Sequence, residues 1–350
     1  MISSETFTTD WIESQSKKIS RRADPKLFEK VTRAFLLLER LVLNDIDLVF
    51  KGGTCLLLMQ PTPKRFSIDI DIISQESEDK FFKCFEKIIA DGYFVSWKDD
   101  SNRKTSPEAP VGHYKFYFKK QTKGKLEEEP LLLDVLFDKN PYQKTQKMPI
   151  KHDWLMNEGD YTFVITPTPA CILGDKLTAF APNTTGILYT KNRPIEIIKQ
   201  LFDIAWLFEI SEDLNLIRTT YLKVVETEIE YRRLAVNWRQ PLEDAFQTAL
   251  TISKRDEKDV NFKHLMLGIS NIGNFIISNT TFNIDTAIIC CGRVAYLCRL
   301  LQDENSNKIK RYSKNESLDD LFIQNIEFSK LNKLKKNNPE AFFYWYQATL

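Results

Sequence analysis

Cysteine and histidine chemistry has little to work with in this 350-residue chain. Its six cysteines (Cys55, Cys84, Cys171, Cys290, Cys291 and Cys298) form no CxxC pair and show no metal-ligand spacing. Most lie in apolar runs, where a free thiol packs as a small hydrophobe. The three histidines, His113, His152 and His264, are scattered. These absences argue against a His-based zinc site or a His-dependent triad, so all of these residues read as structural. An excess of one charge is missing too. With 49 Lys and Arg against 48 Asp and Glu, the formal charge is +1. No global basic field announces nucleic acid, and any RNA contact has to come from local patches. No apolar run approaches the ~20 residues of a membrane span. Met1 to Asp10 is polar with no apolar core behind it, so no secretory leader is expected and the expected location is cytoplasmic. Neither an internal repeat nor a low-complexity segment is visible. What is present is 43% hydrophobic residues, 24 of the residues being Phe, enough for a substantial core. The length fits two domains, or one with a large extension.

The informative stretch runs from Val49 to Ser74, VFKGGTCLLLMQPTPKRFSIDIDIIS. Lys51-Gly52-Gly53-Thr54 follows a short apolar run and precedes Cys55-Leu56-Leu57-Leu58-Met59. Two glycines let the backbone turn tightly and approach a ligand. Free N–H groups at the start of the helix that follows favour an anion, most often a phosphate. The spacing then predicts a strand over Phe66 to Ile73. Strand alternation sends Ile68, Ile70 and Ile72 into a core and Ser67, Asp69 and Asp71 to the other face. Two like-facing carboxylates at this spacing lie roughly 6.6 Å apart and repel by on the order of 2.5 kcal/mol at an effective dielectric near 20. A cation between them relieves this, and an all-oxygen donor set suits Mg²⁺ or Mn²⁺. A phosphate cradle beside a two-carboxylate metal site describes nucleotide chemistry.

The pair of glycines followed by hydrophobic-Asp-hydrophobic-Asp resembles the signature of polymerase-β-type nucleotidyltransferases. The fuller form, KGGT…RFSIDIDI with Arg65 and Ser67 in place, is similar to the AbiEii/AbiGii-type toxin branch of that superfamily. One departure is visible. The fifteen residues from Thr54 to Ile68 separate Gly53 from Asp69, a little more than the usual spacing. A longer helix-to-strand loop carrying Pro61 and Pro63 accounts for it.

Around this stretch, residues 1 to 24 are polar and read as a solvated first helix with a basic cluster of Lys17, Lys18, Arg21 and Arg22. Asp24 as N-cap and Pro25 in the first turn open a helix with period-3.6 apolar positions from Leu27 to Leu41. Glu78 to Asp91 reads as an amphipathic helix stopped by Gly92. Tyr93 to Trp97 and His113 to Phe118 read as strands, with Asp99 to Val111 a loop and Thr122 to Glu129 a charged turn. In Leu131-Leu132-Leu133-Asp134-Val135-Leu136-Phe137, Asp134 interrupts an apolar strand. A carboxylate there is expensive unless paired or metal-bound. Pairing with a core Arg or Lys is one reading. The other, favoured one is the third acidic residue, which the resemblance places on a strand after the Asp pair. Asn140 to Asp160 reads as a linker and Phe163 to Ile165 as a last strand.

Beyond residue 165 the patterns are helical: Ala170 to Ala181, Ile195 to Phe208, Leu222 to Val236, Leu242 to Ile252 and Ile288 to Leu301. The resemblance marks Lys176, in a K-L-x-A pattern, and the run from Asn192 to Leu207, which makes candidates of Arg193, Lys199 and Asp203. Lys199 and Asp203 can equally be an exposed i,i+4 pair on the polar side of their helix, worth a few tenths of a kcal/mol. Gln302 to Glu316 is a charged loop. Lys330, Lys333, Lys335 and Lys336 precede Phe342-Phe343-Tyr344-Trp345-Tyr346. Basic residues beside exposed aromatics can hold nucleic acid, but clusters this small are more often solvated helix faces with the aromatics packed.

The expected fold is α+β. Residues 1–165 form a polymerase-β-type nucleotidyltransferase domain with a mixed β-sheet flanked by helices, and residues 166–350 an all-helical domain closing the nucleotide cleft. The expected enzyme moves an NMP from an NTP to an acceptor hydroxyl and releases pyrophosphate. Lys51, Gly52, Gly53, Thr54, Arg65 and Ser67 are expected at the nucleotide, with Lys176, Arg193 and Lys199. Asp69, Asp71 and Asp134 would hold Mg²⁺ or Mn²⁺, and Lys176 and Asp203 would join them in catalysis. The resemblance further implies the toxin of a type IV toxin–antitoxin or abortive-infection system, a separately encoded antitoxin, and tRNA or another RNA as acceptor. Small-molecule or protein nucleotidylation, and a nucleotide-binding regulator without turnover, are the alternatives.

Overall fold

The computed structural model describes residues 1–19, 24–60, 62–103, 109–123, 126–277 and 281–350. Arg21, Arg22, Pro61 and the middles of the 99–111 loop and 122–129 turn lie outside the described residues. The chain divides into two compact units. One is Met1–Thr168 with a short return segment beginning at Asn274; the other is Pro169–Gly273 with Thr281–Leu350.

The first unit opens with helices α1 (Thr9–Ile19) and α2 (Pro25–Leu43). Asp24 caps α2 as its sequence predicts, its carboxylate accepting from the Lys26 N–H at 2.9 Å. Strand β1 (Val49–Lys51) runs straight into α3 (Gly52–Met59), then come β2 (Ile70–Ile73) and α4 (Glu78–Ala90). Five strands complete the unit: β3 (Ser96–Asp99), β4 (Val111–Lys119), β5 (Glu128–Leu136), β6 (Thr145–Pro149) and β7 (Phe163–Pro167). They form one mixed seven-stranded sheet in the order β3-β4-β5-β2-β1-β7-β6. β1 pairs antiparallel with β2 and parallel with β7, while β2 pairs parallel with β5. Alternation along β4 sends Tyr114, Phe116 and Phe118 to one face, where all three are buried. There Phe85 of α4 meets Tyr114 and Phe116 edge-on, with ring centroids 5.0 Å apart in both pairs.

Three expectations are corrected in this unit. The Asp-bearing strand is shorter than Phe66 to Ile73, since the ladder starts only at Ile70. Phe66 is held instead by the return segment: its N–H donates to Phe275 O at 2.7 Å, and Ile277 N–H donates to Lys64 O at 3.0 Å. The strand expected over Tyr93 to Trp97 is Ser96–Asp99, displaced because Phe94 turns into the core. The stretch Asn140 to Asp160, read as a linker, contains edge strand β6. It is a mixed polar TQKMP segment with no alternation of buried residues to betray it.

The second unit is helical: α5 (Pro169–Ala179), α6 (Pro194–Ile210), α7 (Leu214–Tyr231), α8 (Arg239–Lys254), α9 (Val260–Asn271), α10 (Ile284–Gln302), the short α11 (Leu334–Asn337) and α12 (Pro339–Thr349). The main packing partners are α5 with α7, α10 with α8 and α12, and α6 with α9. The helix expected over Leu222 to Val236 starts earlier, at Leu214, where Asp213 caps it through the Leu216 N–H at 2.9 Å. Phe342, Phe343, Tyr344 and Trp345 are all buried, which removes them as a base-stacking platform. Trp345 donates its indole N–H to Ser253 Oγ at 3.1 Å and meets Phe246 edge-on. Arg311 of the charged loop is likewise tied down, donating to Phe208 O and Ser211 O. All six cysteines are buried, as their apolar settings imply. No helix of the described residues is long and apolar enough to cross a membrane.

His152 of the first unit gives this fold a pH dependence. Its ring lies tilted against Trp154 with centroids 4.2 Å apart, and its Nδ1 accepts the Trp154 main-chain N–H at 3.1 Å, so the native ring is neutral. Burial lowers its pKa from 6.5 to about 4. An unfolded histidine takes up a proton at its ordinary pKa, whereas the folded one resists until about pH 4. Stability should therefore fall as pH drops from 6.5 towards 4. The loss should be on the order of 3 kcal/mol, and His152→Asn should flatten that decline in urea titrations at stepped pH.

Candidate active site

The two halves of the Val49 to Ser74 stretch meet at Gly52. This residue has φ +78°, the left-handed region that glycine alone enters without strain. A Cβ built on it would lie 2.1 Å from Asp71 Oδ2, so the carboxylate occupies the space of the missing side chain. Gly53 plays the same part for the approach to β2. A Cβ there would fall 2.6 Å from Ser67 Oγ and 2.8 Å from an Arg65 guanidinium nitrogen. Thr54 closes the arrangement by donating its hydroxyl to the Asp69 main-chain oxygen at 2.6 Å. With its side chain fully buried in that bond, Thr54 can offer a phosphate only its backbone N–H. Arg65 is buried and donates to Phe66 O at 2.9 Å. The GG turn, Arg65, Ser67, Asp69 and Asp71 thus form one constellation, as their order in the sequence predicts.

Across the sheet the constellation continues as a row. Lys51 is registered opposite Asp71, Asp71 opposite Asp134, and Asp134 opposite His113. The four belong to the adjacent strands β1, β2, β5 and β4. In-register residues on neighbouring strands point to the same face. That face is the one opposite the Tyr114–Phe116–Phe118 core. Asp134 is therefore not the carboxylate embedded in an apolar core that its flanking leucines suggest. Its side chain is 24% exposed, and Oδ1 lies 2.8 Å from His113 Nδ1. A histidine is thus one of its partners. With strands about 4.8 Å apart, the charges of Asp71 and Asp134 repel by about 3 kcal/mol at an effective dielectric near 20. Lys51 and His113 flank them at either end. The donors are oxygens of the kind that hard divalent cations take. Among the described residues, no three His, Cys, Asp or Glu side chains are gathered closely enough to hold a metal. The pair Asp71 and Asp134 is what the register brings side by side, and Asp69 stands just before the ladder.

Lys176 and Asp203, both expected in catalysis, are brought together within the second unit. Nζ lies 2.8 Å from Asp203 Oδ2 and donates to Gln200 Oε1 at 3.0 Å, and both residues are buried. Asp203 is thus not on the polar side of α6. Lys199 pairs with Glu196 at 2.8 Å, and Arg193 is an exposed N-cap of α6. His113 is the residue the sequence reading missed. One signal for it lies in β4: with Tyr114 and Phe116 inward, His113 must face outward, and the β4–β5 hairpin register carries it to Asp134.

Residues 36–267 match the profile of the family described as nucleotidyl transferase AbiEii toxin, type IV TA system. The chain belongs to that family. It is therefore a nucleotidyltransferase of the type IV toxin–antitoxin class, and this class implies an antitoxin partner. Gly52, Asp71 and Asp134 all fall inside the matched AbiEii region. Two solved Helicobacter pylori structures are similar to the chain. A candidate nucleotidyltransferase shares 15% identity with a TM-score of 0.42, over 79% of this chain and 95% of its own. JHP933 shares 16% with a TM-score of 0.43, over 80% and 95%. The comparison with curated proteins gives no match.

Gly52→Ala would test the junction. The new Cβ must displace the Asp71 carboxylate, and a misplacement of about 1 Å can cost roughly 100-fold in rate. Nucleotidyl transfer should fall by about that factor while the far-ultraviolet circular dichroism spectrum stays unchanged.

Proposed function

We propose that this AbiEii-family enzyme transfers an NMP from an NTP to a hydroxyl of an RNA, with tRNA the first candidate, in a reaction that requires Mg²⁺ or Mn²⁺. Transfer to RNA in the cytoplasm would be the toxic act that an antitoxin holds in check. The observation that carries the reading is Asp71 packed against the Gly52 turn with Asp134 in register beside it. An anion-favouring helix start lies against one of two carboxylates that share a sheet face, which is what a triphosphate with its counter-ion needs.

The chemistry follows from these parts. The backbone N–H groups at Gly52, Gly53 and Thr54 would bind the β- and γ-phosphates. Asp71 and Asp134, side by side in the register with Asp69 just before the ladder, would hold the divalent cation, which when bound neutralises charge on the α-phosphate and on departing pyrophosphate. The acceptor oxygen forms a bond to the α-phosphorus as the bond from that phosphorus to the bridging oxygen of pyrophosphate breaks. Asp134 would take the proton of the attacking hydroxyl, and its bond to His113 fixes the carboxylate for that task. Arg65, which lies over Gly53, would add positive charge near the triphosphate. The family resemblance gives Lys176, with Asp203 beside it, and Arg193 a further part in neutralising phosphate. Catalysis of this kind is mostly positioning and electrostatics.

Incubation with Mg²⁺, each α-³²P NTP in turn and total tRNA provides the test. Label should appear on tRNA with one preferred nucleotide and vanish in Asp69→Asn/Asp71→Asn. Transfer to protein or to a small molecule instead would reject the RNA acceptor, and activity undiminished by EDTA would reject the cation requirement. In the same assay His113→Ala should lose roughly 10–100-fold, the usual effect of removing a partner of a metal-binding carboxylate. His113→Asn, which can still donate to Asp134, should recover part of it.

A further inference from the structure

Arg33 lies in the middle of α2, on the sheet face opposite Asp71 and Asp134. Its guanidinium sits over the Phe118 ring at 5.2 Å and over the Phe7 ring at 4.3 Å. Phe118 faces the core with Tyr114 and Phe116, whereas His113 and Asp134 face the other way. Arg33 is only 5% exposed. Among the described residues, one long hydrogen bond, from Nη1 to Tyr93 O at 3.3 Å, is its polar contact, and Nε is buried with no partner. The acid nearest along the helix is Glu29, one turn earlier. That carboxylate is committed elsewhere, accepting from Gln121 N–H at 2.7 Å, Thr122 N–H at 3.1 Å and Thr122 Oγ1 at 2.8 Å. It therefore acts on Arg33 only at a distance. Burial lowers the Arg33 pKa to about 10, with Glu29 and Tyr93 working against the shift, so the group is still a cation at neutral pH. A charge this buried normally has a carboxylate against it, because desolvation is otherwise uncompensated.

Beside Arg33 there is space instead. It lines a cavity of about 440 Å³ with Ser4, Phe7, Tyr93, Lys119 and Gln121. Lys119 is exposed at the end of β4 and brings a second positive charge to the rim. Arg33 and Lys119 are the charged residues of the lining itself, both positive, while Glu128 is registered opposite Lys119 on the neighbouring strand. The hydroxyl of Ser4 and the amide of Gln121 add neutral polar groups. A volume in this range holds a small metabolite, and a guanidinium fork pairs well with the planar or tetrahedral oxygens of a carboxylate or phosphate. We infer that this cavity is a second binding site, one that takes a small oxyanion on Arg33 and Lys119 and is separate from the nucleotidyl-transfer site. The carboxylate or phosphate group would complete the charge pairing that the protein leaves undone.

The full-length protein can be titrated calorimetrically with inorganic phosphate and, separately, with succinate, in chloride buffer at constant ionic strength. One of the two probes should bind saturably with one-to-one stoichiometry and raise the melting temperature, and which one does so identifies the oxyanion class. Binding should weaken roughly tenfold or more in Arg33→Met, the effect of losing a charge-assisted contact, and persist unchanged in Asp69→Asn/Asp71→Asn. Should Arg33→Met fail to fold, Lys119→Glu alters only the exposed rim and should weaken binding in the same direction. The inference is overturned if neither probe binds saturably up to ~10 mM. It is overturned equally if binding survives Lys119→Glu and a folded Arg33→Met, or if it disappears with the catalytic aspartates, which would place the anion at the transfer site. The readout is independent of turnover, so it stands whether or not RNA proves to be the acceptor.

Discussion

The site depends on an atom that is missing. Asp71 Oδ2 lies where the Cβ of residue 52 would be, and the φ of +78° at that position is one that a side chain would resist. One glycine therefore turns the chain from β1 into α3 and lets a carboxylate rest against the turn. Gly53 repeats the device with Ser67 and Arg65. The phosphate-favouring and cation-favouring halves of the site are joined by exclusion of side chains, which is stiffer than a hydrogen bond because overlap rises steeply with approach. Thr54 then fixes the same segment through its bond to the Asp69 carbonyl.

The sheet converts this local junction into a site with two sides. Strand alternation commits one face to aromatic packing, with Phe85 against Tyr114 and Phe116, and leaves the other to Lys51, Asp71, Asp134 and His113. Parallel pairing of β2 with β5 aligns two carboxylates from segments far apart in sequence. Lys51 and His113 flank the pair in the register, and the partial exposure of Asp134 further moderates the repulsion. The rigid aromatic layer behind the sheet keeps that spacing from relaxing. A segment from late in the chain also helps, since Phe275 and Ile277 pair with the residues just ahead of Asp69.

Much of this was legible in the residues. The order of Gly52, Gly53, Arg65, Ser67, Asp69 and Asp71 carries the local constellation, because the contacts are short in sequence and strand and turn chemistry are local. Asp134 could be picked out as an anomaly among leucines, but its setting was misjudged: the register of a hairpin decides which strand face it occupies. The same register hid His113, whose own neighbours say only that it faces outward. The buried pair of Lys176 and Asp203 was beyond reach for a related reason. Helical period placed Asp203 on the polar side of α6, and only tertiary packing brings a lysine from α5 to it. Edge strand β6 and the return of Phe275 and Ile277 were likewise long-range, with no pattern of their own. Burial of Trp345 and its neighbours settles a question that composition leaves open, since aromatic runs serve cores and nucleic-acid platforms alike.

The central claim is that the sheet face carrying Asp71 and Asp134 binds a divalent cation together with the nucleotide. The most direct measurement is electron paramagnetic resonance titration of Mn²⁺ into the protein, with a non-hydrolysable NTP analogue present. The account predicts tightly held Mn²⁺ whose binding depends on the analogue and is lost in Asp71→Asn and weakened in Asp134→Asn. Mn²⁺ binding that is the same in wild type and both variants would contradict it.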